Sequence, residues 1–204
     1  MHLSRLTLEP RSAQARRDLS DAYEMHRTLA RAFVADAQSQ PARFLWRLEA
    51  GSNAWATPVV LVQAAVEADW SALQALPNYL QRPIEHKRLG FEEWVEEGVR
   101  CRFRLQANPT VTRQGKRLGL AGEGEQLAWL SRQGELHGFS IEAALVTASD
   151  VLVGRKGEGR ISVQRVCFEG LLGVQSLDAF SRALSAGIGP AKAFGCGLLS
   201  VLRC

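Results

Sequence analysis

The chain has 204 residues, of which 46% are hydrophobic and 23% charged, and it carries a formal net charge of +4. This length accommodates one large domain or two of about 100 residues each, and the composition is ordinary for a globular protein. The longest aliphatic run, at 59–62, is too short to span a bilayer, and no apolar segment follows a basic start. We therefore expect no membrane partner and no signal peptide.

Cysteine and histidine residues are dispersed along the chain. The four cysteines form no C-x-x-C pair, so neither a zinc site nor a disulfide framework is expected, and a reducing cytoplasm is the predicted location. None of the four histidines has the sequence spacing of metal ligands, and the sequence predicts no metal and no cofactor. The residues concerned are Cys101, Cys167, Cys196 and Cys204, and His2, His26, His86 and His137.

The first half of the chain shows the element order of a ferredoxin-like domain. A strand with alternating leucines at 1–9 leads through an arginine-rich connection to a helix predicted at 22–37. The β-α-β-β-α-β order that follows predicts an N-terminal ferredoxin-like domain over residues 1–110, with residues 77–98 showing no clear period. Its remaining predicted elements are strands at 43–48 and 58–63, a short helix at 69–73 and a strand at 99–107.

The second half repeats a similar order without a repeat in the residues themselves. We therefore predict a C-terminal ferredoxin-like domain over residues 111–204, and a fold of class α+β with two tandem ferredoxin-like (RRM-like) βαββαβ domains. A glycine-containing turn at 156–159 predicts a hairpin between two of the strands. The predicted elements are strands at 116–120, 138–146, 151–155, 160–167, 168–174 and 197–202, and helices at 124–135 and 177–186.

The helix predicted from residue 22 carries the most informative polar cluster. Asp21 and Glu24 have the spacing of a capping box, which places the helix start at Ala22. Tyr23, His26 and Arg27 stand at i, i+3 and i+4, so their side chains share one patch of helix surface. Such a patch can bind a phosphate through Arg27 and transfer a proton through His26. A packed or solvated histidine beside an apolar stripe would give the same spacing.

Basic residues are segregated from acidic ones, which indicates a polyanionic partner, although scattered surface arginines would look similar. The segment 187–197 places Gly187, Gly189, Gly195 and Gly197 around Lys192. Backbone N–H groups of such a loop can bind phosphates, with the lysine adding a charge. A helix C-cap at Gly187 followed by tight packing is the alternative interpretation. The segment matches neither a Walker loop nor a Rossmann fingerprint.

Several motifs, in order, resemble those of the CasE family, the endoribonuclease that processes CRISPR RNA in the type I-E Cascade complex. The resemblance covers nearly the whole chain, and its glycine-rich tail is the most specific part. The motifs are MHLSRLTL, the YEMHR start of the helix at Tyr23, FRLQANPT, GKRLGL, EQLAWL, VQRVCFEGLL and GIGPAKAFGCGLLSV.

This resemblance implies two ferredoxin-like domains that bind the stem-loop of the CRISPR repeat RNA, with His26 as the catalytic residue and Tyr23 beside it. It also implies cleavage at the 3′ base of the hairpin without a metal. The product, the mature crRNA, is then retained beside other Cascade subunits, including the backbone subunit at its 3′ end. The predicted RNA-binding residues are Arg27, Arg31, Lys116, Arg117, Arg155, Lys156, Arg160 and Lys192, together with the four glycines of 187–197.

Metal-free RNA cleavage uses the neighbouring 2′-hydroxyl as the nucleophile and leaves 2′,3′-cyclic phosphate and 5′-hydroxyl ends. His26 can act as the acid or the base, and we favour the acid, whereas Tyr23 is interpreted as a positioning hydrogen-bond donor. Two other functions remain open. One is a non-catalytic subunit that only binds the RNA hairpin, and the other is an enzyme that binds a small phosphorylated molecule through the glycine loop.

Overall fold

A computed structural model describes residues 1–34, 40–49, 51, 56–93, 95–156 and 159–204. The side chains of 92, 155, 156, 159 and 160 are not included in that description. The chain divides into two compact units. The first comprises 1–89 and a short return segment, Ala193–Gly195, and the second comprises 90–192 and 196–204. Among the described residues, no helix has the length and apolar character needed to cross a bilayer.

The first unit is a four-stranded antiparallel sheet in the order β2-β3-β1-β4, which is the ferredoxin-like arrangement. Leu6 and Leu8 are fully buried whereas Arg5 is exposed, as the predicted alternation of the first strand requires. Ser4 and Thr7, predicted to face outward, are buried as well, so the alternation is wrong at these two positions. The elements are β1 (His2–Thr7), α1 (Ala13–Ser20), α2 (Ala22–Ala30), β2 (Phe44–Leu48), β3 (Val59–Ala64), α3 (Ser71–Gln74) and β4 (Glu85–Arg88).

The second unit repeats this arrangement in the order β10-β5-β9-β8, which confirms the tandem ferredoxin-like fold. A separate two-stranded hairpin, β6-β7, is inserted after β5. The elements are β5 (Arg100–Ala107), β6 (Thr110–Arg113), β7 (Lys116–Gly119), α4 (Glu123–Leu136), β8 (Phe139–Lys156), β9 (Gly159–Val174), α5 (Leu177–Ala186) and β10 (Leu199–Arg203).

The predicted strands differ from the structure in four respects. The strand predicted at 99–107 is β5 and lies in the second sheet, so the boundary between units falls at 89/90 rather than at 110. The fourth strand of the first sheet is instead β4, whose four residues are all exposed and therefore show no apolar period. The strand predicted at 116–120 belongs to the inserted hairpin. The strands predicted between 138 and 174 join into two long ones, β8 and β9, whose pairing shifts register twice.

A buried polar cluster joins the first two helices of the first unit, α1 and α2, to its core. The Tyr79 hydroxyl donates to Asp18 Oδ2 at 2.8 Å, and Gln14 Nε2 donates to Asp18 Oδ1 at 2.8 Å. Gln14 also reaches Thr28 Oγ1 on α2 at 3.4 Å. Burial raises the pKa of the Asp18 carboxyl, and the hydrogen bond from Tyr79 opposes that shift. The cluster links α1 and α2 through satisfied polar groups.

Candidate active site

The second helix begins at Ala22 as predicted, because the Asp21 side chain caps it. Asp21 Oδ1 accepts a hydrogen bond from the backbone N–H of Tyr23 at 2.8 Å. The capping box is not completed by Glu24, since the backbone N–H of Asp21 donates to the Arg17 carbonyl at 3.1 Å. The α-helix ends at Ala30 and a 3-10 turn follows at Arg31–Phe33, whereas the sequence predicted a helix to 37. Of that remainder, 35–37 lie outside the described residues.

The imidazole of His26 is half-buried against aromatic rings of the first unit. It stacks on Phe44 of β2, with ring centroids 4.8 Å apart and an interplanar angle of 18°. Phe44 in turn stacks on Phe33, at 4.6 Å and 10°. These stacking contacts fix the orientation of the imidazole ring. The sequence analysis did not identify Phe44 as part of this site.

Burial lowers the pKa of His26 below the 6.5 of a free imidazole. Its Nδ1 is buried and has no hydrogen-bond partner within the part of the chain that the structure describes. The neutral ring is therefore the major form near neutral pH, and no hydrogen bond from a described residue holds Nδ1 in one protonation state. A ring that is held by stacking and free to exchange a proton is suited to acid–base catalysis.

Two arginines, Arg17 of α1 and Arg27 of α2, share the carboxylate of Glu24. Arg27 Nη1 donates to Glu24 Oε1 at 2.7 Å, and Arg17 Nε donates to Glu24 Oε2 at 2.9 Å. Hydrogen bonds from Arg17 and then from Arg27 lower the pKa of the Glu24 carboxyl. Both guanidinium groups are more than half exposed, at 56% and 59% of their side-chain area. Arg27, which the sequence predicts to bind phosphate, is therefore paired with the carboxylate of Glu24 in this structure.

The predicted cluster of Tyr23, His26 and Arg27 does lie on α2, with Tyr23 half-buried and Arg27 exposed. Arg31 is exposed in the turn that follows, and Lys116 and Arg117 are exposed in β7 of the second unit. Backbone pairing places Arg155 opposite Arg160 near the end of the β8–β9 hairpin, but the side chains of 155, 156 and 160 lie outside the description. Contact with RNA by these residues stays a prediction.

The glycine-rich segment has a well-defined packing role. The N–H of Gly187 donates to the Ala183 carbonyl at 2.8 Å and ends α5, as the C-cap interpretation requires. The φ of Gly195 is +76°, and a Cβ there would approach the ring of Trp46 to 3.1 Å. Lys192 Nζ donates to the Gly189 carbonyl at 2.6 Å. The φ of Gly189 and Gly197 is also positive. Phosphate binding by this segment stays a prediction.

Comparisons with known proteins agree on one family. A family model described as CRISPR associated protein matches residues 1–203. The chain is 39% identical over 215 aligned positions to the CRISPR-associated endoribonuclease Cse3 of Thermus thermophilus, covering 98% of this chain and 99% of the relative. It is 34% identical to the CRISPR system Cascade subunit CasE of Escherichia coli over 64% of this chain and 71% of that protein. A solved structure of CRISPR endoribonuclease Cse3 bound to a 19-nucleotide RNA matches with a TM-score of 0.88 and 39% identity, covering 99% of this chain and all of that one.

Proposed function

Since the chain belongs to the CRISPR-associated protein family, we propose that it is an endoribonuclease that binds the stem-loop of CRISPR repeat RNA. It cleaves the precursor CRISPR RNA at the 3′ base of the hairpin. The near full-length similarity to an endoribonuclease supports the reaction class, and the similarity to an RNA-bound structure supports the ligand. The observation that carries the proposal is the half-buried imidazole of His26, stacked on Phe44, on the same helix as the exposed Arg27.

In this mechanism the 2′-hydroxyl gives up its proton to solvent water and attacks the adjacent phosphorus, the P–O5′ bond breaks, and the products are a 2′,3′-cyclic phosphate and a 5′-hydroxyl. His26 in its protonated form donates the proton that the departing 5′-oxygen needs, while Tyr23 positions the RNA through a hydrogen bond. Because burial lowers the pKa of His26, its imidazolium is a stronger acid than a free one but is less populated at neutral pH. Arg27 stabilises the charge that develops on the phosphorane.

RNA binding is proposed to be mainly electrostatic, through the exposed side chains of Arg27, Arg31, Lys116 and Arg117. Each true phosphate contact should add about 0.7–0.9 to the slope of log affinity against log salt concentration. The chain then retains its product and joins other Cascade subunits, which the similarity to a Cascade subunit supports. A cytoplasmic location is proposed because the four cysteines are all free thiols.

The direct test is cleavage of a panel of CRISPR repeat hairpins by the purified chain in excess EDTA. We expect single cuts at the 3′ base of the cognate hairpin. Hairpin binding without product formation would favour the non-catalytic RNA-binding alternative, and product formation only when metal is restored would overturn the metal-independent mechanism.

Glu24→Gln is expected to tighten hairpin binding by about threefold at low salt, because it releases Arg17 and Arg27 from a shared carboxylate. The measurement is fluorescence anisotropy with a labelled hairpin over a range of salt concentrations, and the gain should shrink as salt rises. The matched control is Glu142→Gln, which breaks a similar exposed pair with Arg100 in the second unit. Equal effects from the two variants, or weaker binding by Glu24→Gln, would contradict the role given to Glu24.

A further inference from the structure

Three side chains that can bind a metal lie together at one end of the first sheet, although they are far apart in the sequence. They are His2 at the start of β1, Glu67 in the loop after β3, and His86 in β4. One ligand atom from each side chain lies within 4.8 Å of the other two. His86 Nε2 lies 3.6 Å from Glu67 Oε1.

Strand register explains this convergence. Ser4 pairs with His86 across the β1–β4 ladder, so His2, two residues before Ser4, projects from the same face as His86. His2 also pairs with Ala64, the last residue of β3, and the loop that begins there carries Glu67 to the same end of the sheet. The backbone register therefore brings the three residues to one end of the sheet.

We propose that His2, Glu67 and His86 form a binding site for a divalent transition-metal ion, with Zn²⁺ as the best match. Two imidazoles and one carboxylate are the donor set of open zinc sites, in which a water takes the fourth position. With bonds of about 2.0–2.1 Å, tetrahedral ligand atoms stand about 3.3 Å apart. Closing from 4.8 Å needs only side-chain rotation, and Glu67 and His86 are exposed enough to rotate, at 68% and 52% of their side-chain area.

A second observation points to a ligand at this position. His2 Nδ1 is buried and lacks a hydrogen-bond partner among the residues that the structure describes. A buried polar atom without a partner is costly, and a cation coordinated by this nitrogen would satisfy it. Arg88 pairs with His2 across the strands and places a positive charge nearby, so we expect micromolar rather than tighter affinity.

The proposed ion would join the edge strand β4 to β1 and to the loop after β3. Strand β4 has four exposed residues and pairs only with β1 in the described sheet, so it gains the most from such a link. The site uses none of the side chains placed in the RNA-cleaving mechanism. Its role is therefore structural, and the cleavage rate in EDTA should not depend on it.

The test is calorimetric titration of the untagged, chelator-stripped full chain with ZnCl₂, repeated with CoCl₂ while recording visible absorption. We expect one equivalent of Zn²⁺, tetrahedral Co²⁺ bands, and a rise in Tm of about 5–10 °C at a hundredfold excess of ligand over Kd. Failure to bind Zn²⁺ at 100-fold excess of ion over protein would overturn the proposal.

Variants show whether these three side chains are responsible. Glu67→Gln and His86→Gln should each weaken Zn²⁺ binding by at least about tenfold, with circular dichroism unchanged. The matched control is Glu85→Gln, which removes an exposed carboxylate next to His86 that pairs with Arg5 instead. If Glu85→Gln weakens binding as much as Glu67→Gln, the ion is held nonspecifically and the proposed site is wrong.

Discussion

His26→Ala is expected to slow single-turnover cleavage of a cognate hairpin by about 100- to 10,000-fold, the usual contribution of a general acid or base. Hairpin affinity should change by less than about twofold, because the imidazole stacks on Phe44 and adds no net charge to the RNA-binding surface near neutral pH. This separation of rate from affinity is the expected signature of a catalytic residue.

The rate is best measured with protein in excess over labelled RNA, and the affinity with a non-cleavable hairpin. His137→Ala is the matched control, since His137 is also half-buried and burial also lowers its pKa, but it lies in the second unit. Normal cleavage by His26→Ala would refute the mechanism. A parallel loss of rate and affinity would instead assign His26 a structural role.

The pH dependence of the same variant identifies the role of His26. If the imidazole is the acid, the rate should fall as pH rises through its lowered pKa, whereas a base would give a rate that rises and then levels off. In either case the inflection lies below 6.5 and disappears in His26→Ala. The unfolded chain takes up a proton near pH 6.5, before the folded one does, so acidification below that pH should destabilise the wild type more steeply than the variant.

A single 2′-deoxy substitution at the nucleotide before the cut is expected to abolish cleavage, a loss on the order of 10⁵-fold or more. The reason is that the substitution removes an intramolecular nucleophile already positioned beside the phosphorus. Cleavage of unmodified RNA in EDTA should continue, and its products should carry cyclic phosphate ends.

The control RNA carries its 2′-deoxy one nucleotide after the cut, where the hydroxyl has no part in the attack, and should be cleaved at the normal rate. Cleavage of the first deoxy substrate would exclude the 2′-hydroxyl route and leave attack by water. It would leave open whether His26 takes part in proton transfer, which the alanine variant decides separately.

Local signals in the sequence predicted the start of α2, the helix that carries His26, but not its end. Its start depends on the Asp21 cap and its register on an apolar period, both of which act within one turn. Strand β4 was missed because a short, fully exposed edge strand has no apolar alternation. Strand β5 was recognised but placed in the wrong sheet, since alternation shows that a segment is a strand and does not show which strand it pairs with.

The candidate site shows the same division between local and distant contacts. Helical spacing alone predicts that Tyr23, His26 and Arg27 share one face of the helix. The ring of Phe44 comes from another strand, so no local pattern in the sequence could assign it to His26. His2 and His86 lie 84 positions apart and were interpreted as dispersed, and only strand register brings them to one place.

The short return of Ala193–Gly195 to the first unit has a consequence for attempts to dissect this protein. Gly195 lies against the indole of Trp46, so a fragment that stops at residue 89 would leave that ring surface open to water. The polypeptide crosses between its two folded bodies three times, at 89/90, 192/193 and 195/196. Neither body is therefore encoded by one contiguous gene segment that could be exchanged or expressed alone. A domain exchange that uses the amino-terminal half would also have to include Ala193–Gly195.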